Sequence, residues 1–254
     1  MSQLPQIRLA IAPQQIWQGQ IILNPQQQHY LRRVMRLRVG DSFLAMDGKG
    51  KVCLAKLEED NAKLIKYIVI KTELPVNLTL IVALPKGNGF AEIIRGCTEL
   101  GATRFIPTIS ERTLLKPSSN KLIRWQKIAA EAAEQSERTI IPQIDQPKPF
   151  QQVLAEIQTQ KSACYICVAR GNLAPLWQSL VDSPHLTIAT GCEGGWTKTE
   201  VEQAIKLGFQ PVSLGNRILR AVTAPLVVSS LVAAKSEIFS QQKIDKLNCL
   251  SFDR

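Results

Sequence analysis

The sequence predicts an α/β protein in which a small β-barrel precedes a mostly parallel sheet covered on both faces by helices. Three observations predict it. Strand and helix patterns alternate from about residue 74 to residue 254, as parallel strands joined by crossover helices require. Residues 1–73 read mainly as short strands with one helix among them. Around Glu73–Asn77 (ELPVN) one pattern gives way to the other, which places two domains at 1–73 and 74–254.

In the first domain, Ser42–Met46 and Val52–Leu57 are strands flanking Asp47-Gly48-Lys49-Gly50, a hairpin connection, and Leu64–Lys71 is a further strand. The helix begins at Asn24 as cap with Pro25 in the first position, and Gly40 lies past its end. Leu31, Val34 and Met35 fall on its apolar face, with Arg32, Arg33 and Arg36 elsewhere. In the second domain, strands are expected at Leu78–Leu84, Phe105–Ile109, Ile140–Ile144, Ala163–Ala169, Leu186–Thr190 and Pro211–Leu214. Helices are expected at about 90–100, 122–135, 150–158 and 224–236. Thr197 with Glu200 forms a capping box for one more helix, ending at Gly208.

Composition narrows the function classes. Of 254 residues, 45% are apolar and 20% charged, which suits a packed globular core. The longest apolar stretch, Leu226–Ala234, is broken by Ser229 and Ser230, and a membrane span takes roughly 20 residues. No basic start followed by an apolar run marks a secretory signal, so a cytoplasmic protein is expected. Lys and Arg number 31 against 21 acids, a net charge of +10, which favours a polyanionic partner. Basic residues cluster at 25–38, with four arginines and His29, and at 113–130, with Lys116, Lys121, Arg124 and Lys127. Neither stretch contains an acid.

Cys164 and Cys167 share an apparent strand, where residues three apart face opposite ways. With only two histidines in the chain, no metal site is expected. There is no GxSxG elbow and no GxxxxGK phosphate loop.

Ligands of parallel sheets bind in loops beyond the carboxyl ends of strands, and three loops qualify. Pro85–Phe90 carries Gly87 and Gly89 but Glu92 where a dinucleotide turn needs its third glycine. Thr190-Gly191-Cys192-Glu193-Gly194-Gly195-Trp196 allows close backbone approach to a ligand, or is an ordinary glycine turn. Leu214–Arg220 sets Arg217 and Arg220 around apolar Ile218 and Leu219, suiting a planar ligand or an RNA phosphate.

Taken in order, several segments resemble the RsmE family of 16S ribosomal RNA methyltransferases, which act on N3 of a uridine. They are His29–Arg36 (HYLRRVMR), Glu99–Gly101, Ser110–Arg112, Glu131–Ser136 with Arg138, Gly191–Gly195 and Leu214–Arg220. The resemblance implies a PUA-like RNA-binding barrel followed by a SPOUT methyltransferase domain with a deep trefoil knot, working as a homodimer. It implies S-adenosylmethionine as cofactor, held by Gly191, Glu193, Gly194, Leu214, Gly215, Ile218, Leu219 and Arg220. Arg220 is the expected catalytic cation and Glu193 the nearest carboxylate for a base. Arg8, Arg32, Arg33, Arg36, Arg112, Lys116 and Arg138 are the expected RNA contacts, with 16S RNA or the assembled small subunit as partner.

The chain departs from the family pattern twice. Cys192 stands where GPEGG has proline, and Ala221-Val222-Thr223-Ala224 stands where Thr-Glu-Thr-Ala is usual. These departures keep open a binding-only RNA or ribosome-assembly protein on the same fold. A nicotinamide-dependent oxidoreductase using the Gly87/Gly89 turn is a third class, separated by which nucleotide the protein binds.

Overall fold

The computed structural model describes residues 4–114, 119–159 and 161–251. The chain divides into two compact units.

The first unit holds a six-stranded sheet. Its elements are β1 (Arg8–Ala10), β2 (Ile16–Trp17), β3 (Gln20–Ile21), α1 (Pro25–His29), β4 (Ser42–Met46), β5 (Val52–Leu57) and β6 (Ala62–Ile68). The strand order is β1-β4-β5-β6-β3-β2, antiparallel except for the β1–β4 pair. The β4–β5 turn forms because Asp47 Oδ1 accepts hydrogen bonds from the N–H groups of Lys49 (2.8 Å) and Lys51 (3.0 Å). A carboxylate taking its own downstream amides is what favours Asp at such turns. Asn24 caps α1 as expected, accepting from Gln27 N–H. The helix is shorter than its pattern suggests: a π-helical turn, Tyr30–Val34, follows α1, and Arg36 adopts a left-handed φ of 57° that ends it. Leu31 is fully buried, but Val34 turns outward and is 57% exposed.

The expected division after Glu73 omitted a second excursion, because Ala130–Ile141 belongs to this first unit. The cause is visible in β4. Phe43, Leu44, Ala45 and Met46 are all buried, without the alternation of a one-sided sheet. Phe43 and Ala45 join the core with Leu9, Leu31 and Leu57. Leu44 and Met46 pack on the other face with Val52, Ala133 and Ile141. Glu73 fastens this segment, its carboxylate accepting from Arg138 Nη2 (2.7 Å) and from the N–H groups of Thr139 (2.7 Å) and Ile140 (3.0 Å). Arg8 pairs with Glu137 at 2.7 Å, and Glu134 Oε1 accepts the N–H of Ala10 at 2.6 Å.

The second unit carries β7 (Asn77–Ala83), α2 (Gly89–Glu99), β8 (Ala102–Ile109), α3 (Ser119–Gln135), β9 (Gln143–Ile144), β10 (Lys148–Pro149) and α4 (Phe150–Gln158). There follow β11 (Ala163–Cys167), α5 (Leu176–Ser179), β12 (His185–Thr190), α6 (Lys198–Lys206), β13 (Gln210–Val212) and α7 (Thr223–Ser251). The last turns of α3, from Ala130 onward, are the part given to the first unit. Every pair in this sheet is parallel, in the order β10-β8-β7-β12-β11-β13, with β9 also paired to β8. Ile81, Ile106, Ile166 and Ala189 meet α4 and α6 through Phe150, Val153, Ile157 and Ala204 on one face. Elsewhere α2 and α7 pack closely: Leu226 lies where a Cβ on Gly96 would sit. Among the described residues, no helix is long and apolar enough to cross a membrane. Cys164 and Cys167 lie on β11, and burial pushes the Cys167 thiol up to about 12.

Candidate functional site

The site is built where β11, β12 and β13 end side by side. After β12 the chain turns tightly, Gly195 N–H donating to the Cys192 carbonyl at 2.9 Å, with Gly195 at φ +66°. The loop folds on itself so closely that a Cβ on Gly191 would lie 3.1 Å from Gly195 Cα. Its apolar side chains point inward. Cys192 is buried with Sγ 3.7 Å from Ser110 Oγ, and Trp196 stacks on Phe150 with ring centroids 4.4 Å apart. In this chain, then, the loop is anchored by a buried thiol and a stacked indole.

Two groups brace the loop from outside. Arg112 Nη1 donates to the Gly194 carbonyl at 2.6 Å and to that of Trp196 at 3.4 Å. Glu200 is buried at 3% exposure; one oxygen accepts Thr197 N–H (2.8 Å), the other Glu111 N–H (2.9 Å). The capping box therefore does more than start α6, since it also ties the 110–112 turn to the exit of the glycine loop. Glu193 is exposed, and its Oε1 accepts the N–H of Lys86 at 3.0 Å. That bond draws the 85–89 turn to the site. Val222 closes over the same turn, its Cγ2 2.8 Å from where a Cβ on Gly89 would be.

The loops after β11 and β13 are sewn together. Ser213 N–H donates to the Ala174 carbonyl (3.0 Å), and Leu176 N–H to the Ser213 carbonyl (2.9 Å). Between them and the glycine loop lies a cleft of about 440 Å³, within the range of small-molecule sites. Of the residues expected to hold the cofactor, Gly191, Glu193, Gly194, Leu214, Gly215, Ile218 and Leu219 all line it. Arg112, expected to meet RNA, lines it too. Arg220 does not; it is exposed just beyond Leu219, and its carbonyl accepts from the N–H groups of Thr223 and Ala224, at the start of α7.

Cys167, Val168, Ala169 and Arg170, which also line the cleft, escaped the sequence reading. The apolar run through Ala169 reads as one strand, but the strand ends at Cys167, with a last bond from Val168 N–H to the Val212 carbonyl (2.9 Å), and the next residues form a fourth loop at the cleft. The rule that sites form beyond strand ends would have found them, had the strand been ended two residues earlier.

Two of the expected RNA contacts are buried in ion pairs. Arg8 is 8% exposed and held by Glu137, and Arg138 is 2% exposed and held by Glu73. A carboxylate of their own unit pairs with each guanidinium, through Nη2 of Arg8 and through Nε and Nη2 of Arg138, and burial keeps both from being presented to a phosphate. Arg32, Arg33 and Arg36 are exposed, with Arg32 Nη2 donating to the Glu58 carbonyl at 3.0 Å. Lys116 lies outside the described residues.

The family model described as an RNA methyltransferase domain matches residues 72–233, and that of an RNA methyltransferase PUA domain matches residues 23–70. The chain is 49% identical to Ribosomal RNA small subunit methyltransferase E of Synechocystis, over 91% of this chain and 78% of that one. It is 32% identical to the Bacillus subtilis protein of the same name, covering 83% and 88%. Among solved structures it is similar to the methyltransferase E of Neisseria gonorrhoeae bound to S-adenosyl methionine, with TM-score 0.80, 28% identity and coverage of 91% and 98%. A methyltransferase from Legionella pneumophila in complex with the same cofactor has TM-score 0.80 at 25% identity, covering 91% and 98%. With a domain model spanning most of its length and relatives this close, the chain belongs to the ribosomal RNA small subunit methyltransferase E family.

Proposed function

We propose that this ribosomal RNA methyltransferase uses S-adenosylmethionine to methylate N3 of a uridine in 16S RNA of the small subunit. The observation that carries the reading is the cleft at the ends of β11, β12 and β13, where seven of the eight expected cofactor residues converge. Its features fit that cofactor. Gly191 and Gly194 present backbone without side chains, Ile218 and Leu219 supply an apolar wall for an adenine ring, and Thr190 Oγ1 and Trp196 Nε1 are buried without a hydrogen-bond partner. When bound, the cofactor supplies an electrophilic methyl group: the N3–carbon bond forms as the sulfur–carbon bond breaks, and the N3 proton is lost.

The protein's tasks are then positioning and handling that proton. Arg220, exposed beside the cleft-lining Leu219 and Ala221, stabilises the developing uracil anion. Glu193 is the carboxylate in the lining; with Oε1 on Lys86 N–H, its Oε2 is left to accept the proton. Exposed Arg32, Arg33 and Arg36 bind RNA phosphates from the first unit. In this reading the segment from β11 to α7 carries the family's trefoil knot, two copies form the working dimer, and the protein acts in the cytoplasm during ribosome biogenesis.

The test is Arg220→Ala. Label transfer from methyl-labelled S-adenosylmethionine to small subunits lacking the modification should fall at least 100-fold, with cofactor affinity within about threefold of wild type. Equal loss of both would make Arg220 a cofactor ligand instead, and a wild-type protein without transfer would refute the function.

A further inference from the structure

The cleft is charged the wrong way for its cofactor alone. Arg112, Arg170 and Arg217 line it against one carboxylate, Glu193, so the lining carries a net +2 (three cations less one anion). S-adenosylmethionine brings a sulfonium and an ammonium against one carboxylate, itself a net cation. Like charges in one cleft repel, more strongly as water is excluded.

The three guanidiniums are not equivalent. Arg112 is engaged by the carbonyls of Gly194 and Trp196 and serves the loop. Arg170 and Arg217 are exposed, and neither has a carboxylate or carbonyl partner among the described residues. They come from separate loops that the Ser213 bonds to Ala174 and Leu176 hold together. Arg217 lies back over Gly215, with Nη2 3.9 Å from where a Cβ there would be. Arg170 precedes Gly171, whose φ of +123° turns the loop sharply after β11. A guanidinium presents a planar fork of donors matched to phosphate oxygens.

We propose that Arg170, with Arg217 in the same cleft lining, is a positioning residue that grips an RNA backbone phosphate at the mouth of the cofactor cleft. The inference rests on the proposed methylation of RNA and deepens it. The phosphate offsets the net positive charge of both the cleft and its cofactor, so RNA and S-adenosylmethionine bind with positive coupling. The demethylated product, S-adenosylhomocysteine, has lost the sulfonium charge and is less disfavoured by the bare cleft.

The experiment compares Arg170→Ala and Arg170→Lys with wild type in three readouts: affinity for each cofactor form without RNA, steady-state KM and kcat for RNA, and the salt dependence of RNA binding. Arg170 is exposed, so neither change removes core packing. For Arg170→Ala the expected KM for RNA rises about tenfold, kcat changes less than threefold, and the log–log salt slope becomes shallower by about 0.7–0.9 for one lost phosphate contact. Affinity for S-adenosylmethionine holds or improves, and its gap to S-adenosylhomocysteine narrows. Arg170→Lys recovers the salt slope but not the whole of KM, because a point charge replaces a fork.

Tenfold weaker S-adenosylmethionine binding with KM for RNA unchanged would overturn the proposal, assigning Arg170 to the cofactor carboxylate. Unchanged RNA kinetics and salt slope in an active variant would also overturn it while leaving the methyltransferase reading intact. A wild-type protein that neither binds the cofactor nor transfers label would sink both together.

Discussion

Glu200→Ala tests whether the glycine loop is held in place from outside. Both oxygens of this carboxylate are committed, to Thr197 N–H at 2.8 Å and to Glu111 N–H at 2.9 Å, at 3% exposure. A hydrogen bond to a charged group is worth about 1.5–3 kcal/mol, and a buried amide stripped of its acceptor costs about as much again as an unpaired donor. The cost is smaller than for two fully buried amides, because Glu111 is exposed and Thr197 half-buried, so water replaces part of the lost acceptor; the Thr197 Oγ1 cap on Glu200 N–H is common to both proteins. The net cost is about 3–4 kcal/mol, or roughly 6–16 °C of Tm at 2–4 °C per kcal/mol for a chain of this size. The 110–112 turn loosens with it, and with that turn goes the Arg112 brace on Gly194. Cofactor affinity should therefore fall about tenfold although Glu200 is outside the cleft lining. Thermal unfolding followed by circular dichroism and titration calorimetry with S-adenosylmethionine read the two effects. Glu200→Gln, which retains one acceptor, should lie between. A Tm within 2 °C of wild type, or a large Tm loss with cofactor affinity unchanged, would refute the coupling of the cap to the loop.

Three further outcomes follow. Gly191→Ala places a Cβ 3.1 Å from Gly195 Cα and 3.4 Å from Trp196 N; neither is the end of a flexible side chain, so calorimetry should show cofactor affinity falling at least tenfold. Asp145 is held bidentately by Arg104 (2.7 and 3.2 Å) with Lys148 at 3.5 Å. Burial, the largest influence, raises its pKa, but hydrogen bonds and charge from Arg104 and Lys148 outweigh it, and the carboxyl titrates below its ordinary value. A depressed carboxylate contributes stability that is present above its unfolded pKa of about 3.9 and lost as pH falls through the folded value. Asp145→Asn should cost about 2 kcal/mol at pH 7, and denaturant curves of variant and wild type should converge below about pH 4. For the first unit, replacing Arg32 and Arg33 together by alanine should weaken RNA binding with a shallower salt dependence; an unchanged slope in filter binding removes this turn from the interface.

Local chemistry was legible in the sequence and distant pairing was not. Asp47 with its glycines announces the β4–β5 hairpin, and Thr197 with Glu200 announces α6, because each signal is a side chain bonding a backbone amide within four residues. The cleft was legible too, since glycine and apolar residues after strands mark a ligand loop wherever the sheet is parallel. The second cover on β4 was not. Leu44 and Met46 ask for a partner, but nothing in their neighbourhood says that Ala133 and Ile141, some ninety residues on, provide it. The burial of Arg8 and Arg138 was hidden for the same reason: a basic residue reads as free until its carboxylate is brought to it, here by Glu137 and by Glu73. Strands of two or three residues, such as β1, β2 and β3, are too short to carry a period and are held by their neighbours. Arg170 was hidden by a local ambiguity, since apolar Val168 and Ala169 continue the strand pattern after the pairing has ended.

If this cleft delivers a methyl group to N3 of a uridine, the product nucleoside carries the mark. The measurement that tests it most directly is the chemical position of the label. Small subunits lacking the modification are incubated with the protein and methyl-labelled S-adenosylmethionine, the 16S RNA is digested to nucleosides, and the labelled nucleoside is identified by chromatography and mass spectrometry. A single labelled species, N3-methyluridine, at one site is the expected result. Label on a ribose, on carbon 5 of a pyrimidine or on another base would contradict it.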